Sequence, residues 1–172
     1  MEHLKTKIRQ VPNFPKQGIL YYDITTLLRD PVGLREVLDG LTEPFRDQQI
    51  DLVVGIESRG FILGAAVADR LRAGSVPARK PGKLPAGTIQ QSYDLEYGSD
   101  ALEIHQDAIE QGQRVLIVDD LLATGGSAGA GVKLITSLGA NVVSVTVLVE
   151  LEFLNGRAAL PADLDVFSMV QY

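Results

Sequence analysis

Three short apolar runs, each passing into a glycine or an acid and then into a helix-like pattern, constrain this chain most. The first is Asp51-Leu52-Val53-Val54-Gly55-Ile56, which leads through Glu57-Ser58-Arg59-Gly60 into a helical stretch from Phe61 to Leu71. The second, Val115-Leu116-Ile117-Val118, leads through Asp119 to Gly126 into a helix from about Ser127 to Leu138, closed by Gly139. The third is Val142 to Val149, rich in β-branched residues. A strand that reads as continuously apolar is buried on both faces, as parallel strands are when helices cover them. The expectation is an α/β chain with a central, mainly parallel sheet flanked by helices. Its 172 residues suit a single domain, 1–172.

Two segments break that rhythm. Residues 11–27 combine Pro12, Pro15 and Gly18 with Phe14, Tyr21 and Tyr22, and read as an ordered but irregular cap. Residues 77–105 carry three prolines and three glycines around alternating stretches at Thr88–Tyr93 and Ala101–His105. They read as a long hairpin or flap, and such excursions are more often binding loops than filler. His105 falls on a flap strand as a structural residue, and His3 is expected to be terminal and mobile.

Composition excludes several chemistries. There is no cysteine, so disulfide frameworks, thiolate nucleophiles and cysteine zinc sites are ruled out. Two distant histidines give little basis for a His-based metal site or a Ser-His-Asp triad. A formal net charge of −6 argues against nucleic acid or an anionic membrane as partner. The start MEHLKTKIRQ has no apolar core for a secretory signal. No apolar run approaches the ~18 residues of a membrane span. The expected location is cytoplasmic.

The chemistry concentrates in Val115-Leu116-Ile117-Val118-Asp119-Asp120-Leu121-Leu122-Ala123-Thr124-Gly125-Gly126-Ser127. A buried strand runs into two carboxylates and then a small turn that opens a helix. Backbone N–H groups of such a turn converge at the helix N-terminus, where the macrodipole favours an anion. Thr124 and Ser127 add hydroxyl donors. Asp119 and Asp120 suit the hydroxyls of a ribose diol, or a place near Mg²⁺. Diol acceptors at one end and a phosphate cradle at the other describe a sugar-phosphate site. The glycines Gly126, Gly129 and Gly131 lie too far beyond the strand for a dinucleotide fingerprint, and Val132 stands where a P-loop needs lysine. An acid pair after a strand is ordinarily a solvated loop. The Ala-Thr-Gly-Gly-Ser turn that follows is what favours a binding loop.

This stretch resembles the 5-phosphoribosyl-1-pyrophosphate (PRPP) motif of the type I phosphoribosyltransferases, in the form of their adenine phosphoribosyltransferase branch. The likeness continues through Asn13-Phe14-Pro15-Lys16-Gln17-Gly18-Ile19, Asp23-Ile24-Thr25, Glu57-Ser58-Arg59-Gly60-Phe61, Arg79-Lys80-Pro81-Gly82-Lys83-Leu84-Pro85 and Tyr93-Asp94-Leu95-Glu96-Tyr97-Gly98, nearly the whole chain in family order. The resemblance implies the type I phosphoribosyltransferase fold, with an N-terminal hood at about 11–27 and a β flap at about 77–105. It implies purine salvage by a homodimer, in which adenine and PRPP give AMP and pyrophosphate. Mg²⁺ would be carried by PRPP, with few or no direct protein ligands. Alternatives are a phosphoribosyltransferase for another purine, such as hypoxanthine or xanthine, or a PRPP-sensing regulator without catalysis. Such regulators usually carry a DNA-binding extension and a basic surface.

By the same resemblance, Asp119, Asp120, Ala123, Thr124, Gly125, Gly126 and Ser127 bind PRPP and AMP. Ser58 and Arg59 form the pyrophosphate loop, where Arg59 offers a planar fork of donors to charge growing on the leaving group. Taken alone, Arg59 would be a surface residue pairing with Glu57. Lys83 reaches pyrophosphate in its own site, and Arg79 does so across a dimer interface. Glu96 on the flap is the catalytic carboxylate, which hydrogen-bonds adenine N7 or moves a proton as the N9 bond forms. Tyr97 helps gate the flap. Leu20, Tyr21 and Tyr22 line the hood over the base, with Tyr21 as an aromatic face. Tyr22 stands where the family pattern has arginine or lysine.

Overall fold

The structure is a computed structural model and describes residues 2–94 and 98–172. The chain opens with a 3-10 turn, Glu2–Lys7, and an antiparallel hairpin of β1 (Arg9–Pro12) and β2 (Leu20–Asp23). The short α1 (Thr25–Leu28) and α2 (Pro31–Thr42) follow. Helix α2 starts where Asp30 accepts a hydrogen bond from the Val32 N–H at 3.1 Å and Pro31 occupies the first turn. The region expected to be an irregular cap is thus built on a regular hairpin that begins at Arg9. His3 lies in the opening turn, where its exposed Nε2 meets Glu36.

Five parallel strands make the central sheet, in the order β4-β3-β7-β8-β9. They are β3 (Leu52–Ile56), β4 (Gly74–Ala78), β7 (Arg114–Leu122), β8 (Asn141–Glu150) and β9 (Asp165–Gln171). Helix α3 (Gly60–Leu71) crosses from β3 to β4, and α4 (Gly126–Ser137) crosses from β7 to β8. Strand β7 continues four residues past Val118, because Asp119, Leu121 and Leu122 pair with Val147, Val149 and Glu150 of β8. The two aspartates therefore belong to the strand rather than to the loop after it.

Apolar clusters fill both faces of the sheet. On one side Val37 and Leu41 of α2 and Leu63 and Val67 of α3 pack on Leu116 and Val118. On the other, Val132 and Ile135 of α4 pack on Val115, Ile117, Val145 and Val147. Burial of both strand faces is the physical reason the runs read as continuously apolar. Helix α3 lies unusually close to β3: a methyl added to Gly64 would come within 3.0 Å of the Gly55 Cα.

The flap is an antiparallel pair, β5 (Thr88–Asp94) and β6 (Ser99–His105), in register from Thr88↔His105 to Asp94↔Ser99. Leu102 and Ile104 root it in the second cluster with no exposed surface. Residues 77–78, counted with the flap in the sequence, belong to β4. Among the described residues, no helix is long and apolar enough to cross a membrane.

Candidate active site

Strands β3 and β7 are neighbours, so the loops leaving their carboxyl ends meet. They enclose a cavity of about 320 Å³ lined by Ser58, Arg59, Asp119, Asp120 and the turn from Ala123 to Ser127. The carboxyl edge of a parallel sheet is where such folds seat ligands. Arg59 Nε donates to Asp120 Oδ2 at 2.5 Å, across sixty-one positions of sequence. Burial alone would lower the Arg59 pKa, but the charge and hydrogen bond of Asp120 outweigh it and hold the guanidinium firmly charged. Arg59 thus takes a partner on β7, while Glu57, its neighbour in sequence, is held by other cations.

Asp119 is buried, and its Oδ1 accepts the Asp120 N–H at 2.8 Å. Burial pushes its carboxyl well above the usual range, and the neighbouring Asp120 adds to the effect. After β7 the chain turns at Gly125, whose φ of 84° suits glycine, and α4 opens at Gly126. A methyl on Gly125 would fall 2.1 Å from the Gly156 carbonyl oxygen and 2.8 Å from the Ala159 Cβ. A 3-10 turn, Gly156–Ala159, thus presses directly on the back of the cradle. No motif in the sequence points to it.

The basic cluster gathers on Glu57. Lys83 Nζ contacts Glu57 Oε1, Arg79 Nε donates to Oε2 at 3.3 Å, and the Lys80 N–H donates to Oε2 at 2.9 Å. Burial would raise the Glu57 carboxyl, yet these partners together hold it below the usual range. In the sequence Glu57 stands out only as a neighbour of Arg59. The dense positive charge of a separate loop, which needs an acid to rest on, is the signal that could have identified it.

Lys80 turns the other way, into the cavity wall. Its Nζ bonds Asp100 Oδ2 and donates to the Tyr93 hydroxyl at 2.9 Å, tying the basic loop to both flap strands. Tyr93 also packs on the cradle, since a methyl on Gly126 would fall 2.7 Å from its Cδ2. Glu96 and Tyr97 lie outside the described residues.

The hood closes a larger apolar cavity of about 630 Å³, whose walls include Leu20, Tyr21, Tyr22, Leu121, Leu151 and Phe153. It opens toward Ala123 and Thr124, which line the first cavity as well. Tyr21 bridges the two, with the Arg59 guanidinium 5.8 Å from its ring centroid and the Phe14 ring edge-on at 5.1 Å. Tyr22 stacks instead on Tyr172, with centroids 4.1 Å apart. Phe153, 69% exposed at the rim, and Leu151 carry no signal in the sequence because they come from the far end of the chain. Among the described residues, no three His, Asp or Glu side chains cluster to hold a metal ion.

A parallel sheet whose carboxyl-edge loops enclose a polar cavity beside a Thr-Gly-Gly-Ser turn defines a class, and the chain belongs to the phosphoribosyl transferase domain family, which matches residues 24–170. Within that class its relatives are adenine phosphoribosyltransferases. The one from Acidobacterium capsulatum is 59% identical over 171 residues, 99% of this chain and 94% of that protein. The crystal structure of the one from Rhodothermus marinus matches with a TM-score of 0.95 at 53% identity, covering 99% of this chain and 97% of that one. The Saccharomyces cerevisiae enzyme, solved with adenine and D-2,5-dideoxy-2,5-imino-altritol 1,6-bisphosphate, matches at 0.91 and 43% identity, covering 97% of this chain and 96% of that one.

Proposed function

We propose that the chain transfers the phosphoribosyl group of Mg²⁺-bound PRPP to adenine, giving AMP and pyrophosphate in purine salvage. The observation that carries this reading is the continuity of the two cavities. A polar chamber with a phosphate cradle opens at Ala123 and Thr124 into an apolar chamber under an aromatic hood. A sugar phosphate fits the first and a purine ring the second, with C1 and N9 meeting between them. The names of relatives at 52–59% identity support the choice of adenine.

In the reaction N9 bonds to C1, the C1–oxygen bond to diphosphate breaks, and adenine releases its N9 proton. The donors of Thr124 to Ser127 and the opening turn of α4 hold the 5-phosphate. Asp119 and Asp120 meet the ribose hydroxyls. With its Nε engaged by Asp120, Arg59 offers its terminal nitrogens to the departing diphosphate, Ser58 and Lys83 join it, and Arg79 reaches across the dimer interface to the other subunit's site. Lys83 exchanges Glu57 for the diphosphate, so the ligand replaces a carboxylate rather than meeting a bare cation. Mg²⁺ enters with PRPP. Leu20, Tyr21 and Tyr22 enclose the base, Glu96 serves its N7 or its proton, and Tyr97 closes with the flap to exclude water from the sugar cation. We assign the work to a single domain, acting in the cytoplasm as a homodimer.

The test is an assay of purified protein with PRPP, Mg²⁺ and each common purine, following nucleotide and pyrophosphate together. Equal amounts of AMP and pyrophosphate from adenine alone are expected. Turnover with hypoxanthine or xanthine instead would reassign the base. Tight PRPP binding without turnover on any base would make the chain a sensor.

A further inference from the structure

Behind the phosphate cradle lies a polar network with no part in the chemistry of transfer. Glu150, at the carboxyl end of β8, is 4% exposed. Its two oxygens take a fork from Arg157: Nε donates to Oε1 at 2.7 Å and a terminal nitrogen to Oε2 at 2.7 Å. The Ser168 hydroxyl donates to Oε2 at 2.7 Å, and Gln171 adds a bond at 3.4 Å, both from β9. The fork holds the Glu150 carboxyl down at about 2, so the pair is ionised throughout the neutral range.

Arg157 belongs to the 3-10 turn whose main chain touches the cradle at three places. A methyl on Gly156 would fall 2.3 Å from the Ala123 oxygen, one on Gly125 2.1 Å from the Gly156 oxygen, and one on Gly129 2.9 Å from the Ala159 oxygen. This is backbone against backbone, so the turn cannot shift without moving residues 123–129. The fork fixes the turn to the ends of β8 and β9, and the turn in its place fixes the cradle.

We propose that Glu150 and Arg157 are positioning residues for the 5-phosphate of the sugar, acting through the turn at Gly156–Ala159. The inference rests on the transferase reading above. They touch no substrate. Their effect is to hold the N–H groups of the cradle where the phosphate oxygens arrive, on elements rigid enough to make that geometry cheap to reach. The diphosphate loop at Ser58-Arg59 hangs from β3, and its tie to β7 is at Asp120, ahead of the stretch on which the turn presses.

The experiment measures equilibrium binding of AMP and of pyrophosphate with Mg²⁺ to the parent, Arg157→Lys and Glu150→Gln, with turnover of the parent as reference. Lysine keeps the charge but loses the fork. Both variants should bind AMP about tenfold more weakly and pyrophosphate within about twofold of the parent. Arg157 is 45% exposed, so Arg157→Lys decides the question if Glu150→Gln does not fold. AMP affinity within about twofold of the parent, in a parent that makes AMP, overturns the positioning role alone. Equal weakening of AMP and pyrophosphate overturns it too, since that is general loosening. A parent that neither makes AMP nor binds it overturns both readings.

Discussion

Gly60 stands at the first position of α3 with almost no space beside it. A methyl there would lie 2.8 Å from the Val118 oxygen and 2.9 Å from Asp119 Oδ1. Gly60→Ala should therefore destabilise the protein by roughly 1–3 kcal/mol in urea unfolding, as overpacking does. Carboxylates at the site's rear titrate in opposite senses. Glu150 sits at about 2, below its ordinary 4.5, so its stabilisation is full above that ordinary value and fades as pH falls toward 2. After discounting for the half-exposed arginine, Glu150→Gln should lose on the order of 2 kcal/mol at neutral pH and much less near pH 3, read from urea midpoints. Asp119 is raised, so the folded chain keeps a proton that the unfolded chain releases, and stability declines as pH rises above the usual carboxylate range. Asp119→Asn should remove that decline. The sequence shows Asp119 but not its raised carboxyl, which comes from burial that only the fold creates.

Among elements, the strands buried on both faces were the legible ones. Strand β3 runs over Leu52–Ile56 and β8 over Asn141–Glu150, within a residue of the apolar runs that predict them. The edge strands β4 and β9 were not legible. Gly74–Ala78 contains Pro77, which suits an edge, and Asp165–Gln171 mixes polar with apolar residues because its ends are exposed and its middle only partly buried. The flap was readable from its alternation, while its tether was not: Asp100, Tyr93 and Lys80 meet only through the register of β5 with β6 and the path of the basic loop. Asp100→Asn should loosen that root. Amides of Thr88 to Ser92 should exchange faster with solvent, while global stability stays within about 1 kcal/mol, as expected for a partly exposed ion pair.

For the whole molecule, the sheet shares its strands between both apolar clusters, so a ligand held at its carboxyl edge stabilises everything that unfolds with it. PRPP with Mg²⁺ at about a hundred times its dissociation constant should add about 2.7 kcal/mol. That corresponds to a rise of roughly 5–10 °C in the thermal midpoint, measured by scanning fluorimetry against Mg²⁺ alone. The hairpin of β1 and β2 that roofs the apolar chamber ends at Asp23, and the part of the chain shared across the family begins at residue 24. One wall of that chamber thus precedes the shared part, while Leu121, Leu151 and Phe153 of the shared part form the other. A change confined to this short prefix would reshape the apolar chamber from one side and leave the turn from Ala123 to Ser127 as it stands.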